Sequence, residues 1–591
     1  MVSSVFTDQE LKKAGIIFLS SKELITPFET RFSGIAYLDD TILIGEEAFL
    51  SYIKQEPFQS EKFFDGRFGL IAEEKDYYIA KTDAIGQEIF YYYKKDKDWA
   101  FSNSFYYLLQ WLEKNKISCT VYEPALYSGL IANPFFSTKP GSALGLQLLS
   151  NNTMVDEIKV LPKNFYLEIR RETNTLEVLE DKNIYIDPNK TYEELLLDYV
   201  TKWSSRIKAL AEKFPHALKI DLTGGLDSRV VLALTSFSFS KIERLHFQSN
   251  RQEKYQKDFQ IANIIGDFLG FSIKNKRLFN GQISPLESYE LWKYGNLGAY
   301  FPIYLPTHRE PTNIFYLHGS GGENFRQYYT GTADQIAQRF HYYFPNEYSS
   351  ELVKKEFLES VKSLGYGTSS LEGMREHYKN FRSRFHFGRN WIRTCYANFI
   401  TPLNSLELHY AAKKLSDFDI ASNKIHCDLL CLLNPLLATM PFDKSSKTFS
   451  ITQLEKSPFK GLLKKNFPYK PILVRHHPVK LEESENKIEY TRKDVIEMLK
   501  ADLSQNFEPL KELGGFSEKT IHDIENSLTQ KEIFSLATQK VSYLLSIGVT
   551  LKFTGFKGLR TKPLKETFQK KILTSIHQVR KKIFTTSLRH F

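Results

Sequence analysis

The chain has 591 residues, 42% of them hydrophobic and 25% charged, with a formal net charge of +10. That length is too great for one ordinary hydrophobic core and predicts two to four domains of a soluble globular protein. The cysteines Cys119, Cys395, Cys427 and Cys431 are scattered without a Cys-x-x-Cys pair, which excludes a paired-cysteine zinc site and reads as small buried hydrophobes in a reducing compartment.

The N-terminus shows no basic, apolar, small-residue progression, so no signal peptide is expected. Residues 1 to about 185 read as a β-rich α+β domain. Short alternating runs recur at 34–38, 41–44, 68–72, 77–80 and 89–93, with helical patterns at 46–54 and 105–113. From 190 to 450 the pattern changes to helices alternating with short apolar strands: helix 192–213, strand 218–222, helix 228–235, strand 242–248, helix 258–269 and strand 271–278. That alternation predicts an α/β domain, a parallel sheet with helices on both faces, whose ligands bind beyond the C-terminal strand ends. The apolar run 429–440 contains Asn434 and Pro435 and is too short to span a bilayer, so a cytoplasmic location is expected. Residues 451–591 read as a Lys-rich helical extension, with amphipathic patterns at 492–503 and 524–545. From Lys552 onward the basic residues face the single acid Glu566; such a tail suits an anionic surface, or is simply a solvated helix.

The most informative stretch is Thr223-Gly224-Gly225-Leu226-Asp227-Ser228-Arg229, between an apolar strand and an apolar helix. Two glycines let a backbone approach a ligand, and N–H groups at a helix start point at negative charge. An acid beside such a cradle is repelled by phosphate unless a divalent cation lies between them, which reads as a pyrophosphate site with Mg2+ held partly by Asp227. Neither a Walker loop (Gly-x-x-x-x-Gly-Lys-Ser/Thr) nor Gly-x-Gly-x-x-Gly occurs in the chain.

This loop resembles the PP-loop, Ser-Gly-Gly-x-Asp-Ser, of enzymes that cleave ATP to AMP and pyrophosphate. Around it, Phe64-Asp65-Gly66-Arg67-Phe68-Gly69-Leu70 is similar to the motif L-x-G-x-F-A-F. Residues 81–92 are similar to R-D-x-x-G-x-x-P-L-Y-Y, and Val160-Leu161-Pro162-Lys163-Asn164-Phe165 to the motif L-P-P-G. Residues 258–270 resemble a helix ending in A-x-x-L-G. Leu317-His318-Gly319-Ser320-Gly321-Gly322-Glu323-Asn324 resembles the second phosphate-side loop, S-G-E-G-S-D-E, and residues 400–408 resemble V-P-F-L-D-x-x-L. In that order the motifs resemble the asparagine synthetase family, with the β-lactam synthetases and lasso-peptide cyclases, over roughly residues 30–450. The resemblance implies an N-terminal domain of the Ntn-hydrolase (glutamine amidotransferase) type, then a PP-loop (adenine nucleotide α-hydrolase-like) domain. It implies ATP and Mg2+ as cofactors, and a carboxylate adenylated for attack by an amine. The carboxylate, free or polymer-linked, and the amine are the implied partners.

Departures qualify it. Val2 stands where glutamine-hydrolysing members need cysteine after Met1, and Ser3 and Ser4 do not replace it, so glutamine hydrolysis is not expected. Glu323 falls at the second Mg2+-side acid. Ser320 stands where asparagine synthetases have a glutamate near the attacking amine, leaving His318 as a nearby base or a plain hydrogen-bonding residue. The resemblance implies a nucleotide site of Leu222, Thr223, Gly224, Gly225, Leu226, Asp227, Ser228, Arg229, Gly321 and Gly322. The metal ligands would be Asp227 and Glu323, and the catalytic groups these two acids with Lys444; Lys447 is the second candidate lysine. Arg229 reads as a phosphate contact or a first-turn salt bridge. Two other readings stay open: a PP-loop enzyme acting on RNA, which the basic tail would suit, and a non-catalytic ATP-binding scaffold.

Overall fold

Alternation of apolar side chains through the first 180 residues produces strands stacked in two layers. The computed structural model describes residues 6–22, 29–131, 148–183, 185–275, 283–300, 305–306, 308–309, 312–340, 347–388, 397–459, 467–478, 492–512, 522 and 537–555. Val2, Ser3, Ser4, Cys395 and the basic tail beyond residue 555, which enter the sequence reading, lie outside these. The strands are β1 (Phe18–Ser20), β2 (Arg31–Tyr37), β3 (Thr41–Ile44), β4 (Gly66–Glu73), β5 (Tyr77–Thr82), β6 (Tyr91–Lys95), β7 (Asp98–Ser102), β8 (Ile158–Val160), β9 (Phe165–Arg170) and β10 (Thr175–Glu180). One sheet has the order β1-β7-β6-β8; a larger one has β10-β9-β5-β4-β2-β3, with a further strand beyond β3. Successive side chains of a strand point to opposite faces. In β4, Ile71 therefore faces Phe101, Leu167 and Ile169 in the core between the sheets. Phe68, Leu70 and Ala72 face the other way, onto Phe49 of the helix Glu46–Ile53. On the far side of the smaller sheet, Leu108 and Leu112 of the helix Phe105–Lys114 pack on Tyr91 and Tyr93. The layers therefore run helix, sheet, sheet, helix. The strand expected at 89–93 starts later, at Tyr91, because the N–H groups of Gln87 and Glu88 turn in to the buried Asp83 carboxylate.

The next sheet is parallel throughout: β11 (Leu218–Asp221), β12 (His246–Ser249), β13 (Lys274–Asn275), β14 (Phe315–Leu317) and β15 (Asn398–Ile400), in the order β13-β12-β11-β14-β15. The protein is thus a mixed α/β structure with antiparallel and parallel sheets. From β11 the chain builds outward through β12 and β13, then returns to add β14 on the opposite side. The strand order reverses between β11 and β14, which is where open parallel sheets leave a crevice for ligands. The helix Tyr192–Lys213 has the expected limits, fixed at its start by a capping box of Thr191 and Glu194. The expected strand 242–248 divides into a 3-10 turn, Ile242–Arg244, and β12. Of the strand expected at 271–278, only Lys274–Asn275 is extended among the described residues.

The segment after 450 is helical in part, at Arg492–Gln505, Phe507–Glu512 and Ala537–Thr554, but it is not an extension of helices alone. β16 (Leu473–His476) pairs in parallel with β3, Val474 opposite Ile42, and completes the larger sheet of the first domain. An unpaired edge at β3 would expose a row of N–H and C=O groups, and β16 covers it. Cys119, Cys427 and Cys431 are buried thiols outside any disulfide. Among the described residues no helix is long and apolar enough to cross a membrane.

Candidate functional site

The loop Leu222–Gly225 leaves β11 at the point where strand order reverses. Its ends are anchored by apolar burial: Leu222 and Leu226 are in the core, and the Leu222 N–H donates to Gln248 O across to β12. Gly225 caps the helix Leu226–Ser238, so free N–H groups of the first turn open beside the loop. Gly224 is required by close approach: a Cβ there would lie 2.8 Å from Asp443 Cβ, and the Asp443 N–H donates to Gly224 O at 3.0 Å. The cradle's donors are turned onto oxygens of the same chain. Thr223 N–H donates to Ser228 Oγ (3.1 Å), Gly225 N–H to Thr223 Oγ1 (3.2 Å) and Gly224 N–H to Asp258 Oδ1 (2.8 Å). Asp258, on the first turn of the helix Gln256–Leu269, thus places a carboxylate against the loop.

Asp227 is on the first turn of the helix that the loop feeds. Its Oδ1 accepts from His426 Nε2 at 2.7 Å and its Oδ2 from the Arg326 guanidinium at 2.8 Å. His426 is fully buried, and burial pulls its imidazole below the usual range, so the neutral ring donates from Nε2 and leaves Nδ1 without a partner. Burial pushes the Asp227 carboxyl up, but the His426 hydrogen bond and the charges of Arg326 and Lys447 outweigh it and hold the group below the ordinary carboxylate range. Across from it is Glu323, on a 3-10 turn Gly322–Phe325 that follows β14. The same Arg326 guanidinium lies 3.4 Å from Glu323 Oε1, while Glu323 Oε2 is buried without a hydrogen-bond partner. Burial, with the nearby Asp227 charge, pushes the Glu323 carboxyl up to about 7.

The second loop presses on the first. A Cβ on Gly322 would lie 2.0 Å from Asp227 Oδ1, and one on Gly319 2.8 Å from Ser228 N. Gly321 has a left-handed φ of 105° and sits against Asn404. So Thr223, Gly224, Gly225, Asp227, Ser228, Gly321, Gly322 and Glu323 lie together at the strand ends.

Three other expectations change. Arg229 makes neither a phosphate contact nor a salt bridge. It is fully buried, donates to the carbonyls of Leu437 (3.2 Å), Met440 (2.8 Å) and Pro441 (2.6 Å), and stacks on the Phe442 ring at 3.7 Å. Position 229 is one step past Asp227 and Ser228 around the helix, so its side chain points inward and not to the loop. Lys444 is exposed, whereas Lys447 Nζ pairs with Asp443 (2.8 and 2.9 Å) and lies 3.7 Å from the Cβ position of Gly225. Lys447 is the lysine that reaches the loop. His318 does not present a free base at Nδ1: that nitrogen accepts from Ser320 N–H (3.1 Å) and faces Ser320 Oγ at 2.5 Å. A backbone N–H can only donate, so protonating Nδ1 would set two N–H groups against each other. The other ring nitrogen, Nε2, lies 3.6 Å from Asp221 Oδ2.

Sequence reading missed Arg326, His426 and Asp258 as site residues. Arg326 follows Glu323 by three and had a local signal; His426 lies 199 positions from Asp227 and had none. Among the described residues no group of three or more His, Cys, Asp or Glu side chains assembles as a metal cage. Comparison with protein-family models and with curated proteins gives no match to this chain.

Proposed function

We propose that the protein is an ATP-dependent, AMP-forming amide ligase of the asparagine synthetase type, activating a carboxylate as its acyl-adenylate for attack by an amine, without hydrolysing glutamine. The observation that carries this reading is the pairing of Asp227 and Glu323 across the strand-order reversal, beside a two-glycine loop that feeds a helix. The reading assigns an Ntn-hydrolase-type architecture to the first domain, supported by its helix–sheet–sheet–helix layering. It assigns a PP-loop type to the second, supported by the parallel order β13-β12-β11-β14-β15.

The residues fit a Mg2+ ion: two adjoining carboxylates share one guanidinium, and Glu323 Oε2 has no partner. Mg2+ is commonly held by one or two carboxylates and completed by substrate phosphates, so a third protein acid is not needed. Asp227 and Glu323 would hold it, and it would neutralise charge on the departing pyrophosphate. His426 fixes the orientation of the Asp227 carboxylate. The loop amides and the Thr223 and Ser228 hydroxyls would bind the phosphates by exchanging their present partners within the chain for phosphate oxygens. Lys447, at the loop's edge, places a positive charge where negative charge develops. On this reading the rate comes from positioning the two substrates and stabilising the leaving group rather than from a covalent enzyme intermediate. The amine is free ammonia, an amino acid or an amino group on a larger molecule.

The test is AMP and pyrophosphate release from ATP and Mg2+ over a panel of carboxylates, each with ammonia, glutamine or amino acids. The expected result is AMP formation that depends on one carboxylate and is lost in Asp227→Ala. Nucleotide binding with no AMP formed from any carboxylate, small or polymer-linked, would count against the reading.

A further inference from the structure

The two acids of the site meet a cation from their own chain. Arg326 leaves the 3-10 turn that carries Glu323 and reaches back, so that one NH2 nitrogen lies 2.8 Å from Asp227 Oδ2 and 3.4 Å from Glu323 Oε1. The loop shows the complementary arrangement. Its Gly224 N–H, oriented for an anion, holds the Asp258 carboxylate at 2.8 Å. Each half of the site is thus closed on a side chain of the charge its ligand would bring.

We propose that Arg326 is an internal competitor for the divalent cation: it holds the Asp227–Glu323 pair against free metal and yields only when nucleotide phosphates arrive with it. This rests on the reading of the site as a metal–nucleotide site. A guanidinium sets one positive charge against two carboxylates and leaves Glu323 Oε2 unpartnered. A divalent ion sets two and can also engage that oxygen. Metal alone must displace Arg326 from both carboxylates, giving up two charge-assisted contacts of a half-buried guanidinium that then keeps only Gly322 O, at 3.3 Å from its Nε, as an acceptor. Metal carried by phosphates gives the displaced guanidinium new oxygens to bind, because arginine matches phosphate as well as carboxylate. Arg326 therefore couples the two ligands, making each bind better in the presence of the other.

The experiment is titration of the full chain with Mn2+, followed by electron paramagnetic resonance, alone and with α,β-methylene-ATP, for wild type, Arg326→Gln and Arg326→Lys. Circular dichroism and melting curves identify any variant that has not folded, and Arg326→Lys keeps the positive charge if Arg326→Gln fails on that count. Wild type is expected to bind Mn2+ weakly alone and at least tenfold more tightly with the nucleotide analogue. Arg326→Gln is expected to bind Mn2+ alone at least tenfold more tightly than wild type, with most of the coupling gone, and Arg326→Lys to fall between. Unchanged or weaker binding of Mn2+ alone in both folded variants overturns the role of Arg326. Absence of Mn2+ binding in every protein, even with the analogue, overturns the metal–nucleotide reading itself.

Discussion

Asp227 is fixed on three sides, by His426, by Arg326 and by the backbone of Gly322, and the last of these leaves no room for a side chain. In Gly322→Ala the new methyl would overlap Asp227 Oδ1 at 2.0 Å, so either the carboxylate or the second loop must move. Nucleotide–metal affinity measured by calorimetry should fall at least tenfold (about 1.4 kcal/mol) while the melting temperature shifts only slightly. Affinity equal to wild type would show that the carboxylate is not the anchor. The two lysines make a paired test. Lys447→Ala should weaken nucleotide binding about fivefold or more, by removing the ammonium at the loop, whereas Lys444→Ala, at an exposed position, should leave it unchanged. The reverse order would restore Lys444 as the site lysine. Arg229 belongs to stability. Arg229→Met strips the carbonyls of Leu437, Met440 and Pro441 of their donor, the first buried and the other two part-buried, and should cost about 1–3 kcal/mol in urea unfolding. Nothing in the motif distinguishes this arginine from a phosphate ligand. Only the position of the Leu437–Phe442 segment, 200 residues further on, decides it.

At the scale of elements, the site depends on two loops, one after β11 and one after β14, and the second is braced from the first domain. Gln87 donates to Gly66 O at 2.8 Å, and its Oε1 accepts from Thr401 Oγ1 (3.1 Å) and Asn404 Nδ2 (3.2 Å). Asn404 Oδ1 then accepts from Asn324 Nδ2 at 2.6 Å, next to Glu323. This buried chain of hydrogen bonds ties a turn of the β-rich domain to the second loop, which gives that domain a bracing role independent of glutamine chemistry. In Gln87→Ala the loop should lose its brace. Stability should fall by about 1–3 kcal/mol for the unpaired amides left behind, and hydrogen exchange in residues 318–325 should speed up more than in β4 or β5. Equal protection throughout would remove the link. Most of these elements were legible in sequence because their signals are local. The capping box of Thr191 and Glu194 marks a helix start, and alternation marks β2 to β5. The glycine loop before the Leu226–Ser238 helix was legible for the same reason. The split of 242–248 was not, because apolar content alone does not distinguish a 3-10 turn from a strand. The Gln87–Asn404–Asn324 chain was not either, since its members are scattered polar residues with no spacing rule.

For the whole molecule, the question is whether the segment after 450 is an appendage or part of the core. Its composition, polar and Lys-rich, favours an appendage, and its helical periods carry no information about where they dock. The contacts argue otherwise. β16 completes a sheet of the first domain, and Asp502 accepts from Tyr289 Oη at 2.9 Å and from Lys293 Nζ at 3.0 Å on a helix of the second. Leu499, Leu503, Leu510, Leu544, Leu545, Ile547 and Leu551 are fully buried in one cluster with Tyr289, Trp292, Leu11 and Met374. Burying a large aliphatic side chain contributes about 1.5–3 kcal/mol, so these residues together contribute on the order of 10 kcal/mol or more. That is comparable to the entire stability of a typical protein, about 5–15 kcal/mol. A chain ended at residue 450 should therefore lose cooperative folding, not merely its basic tail, because the partners of these leucines would be left facing water and β3 would be an open edge. A chain ended at residue 556, after the last described helix, keeps every one of these contacts and should melt cooperatively close to the full-length value. Calorimetric melts of the two truncations separate the alternatives. A sharp transition for the 450-residue chain within a few degrees of wild type would show that the C-terminal segment is an appendage after all.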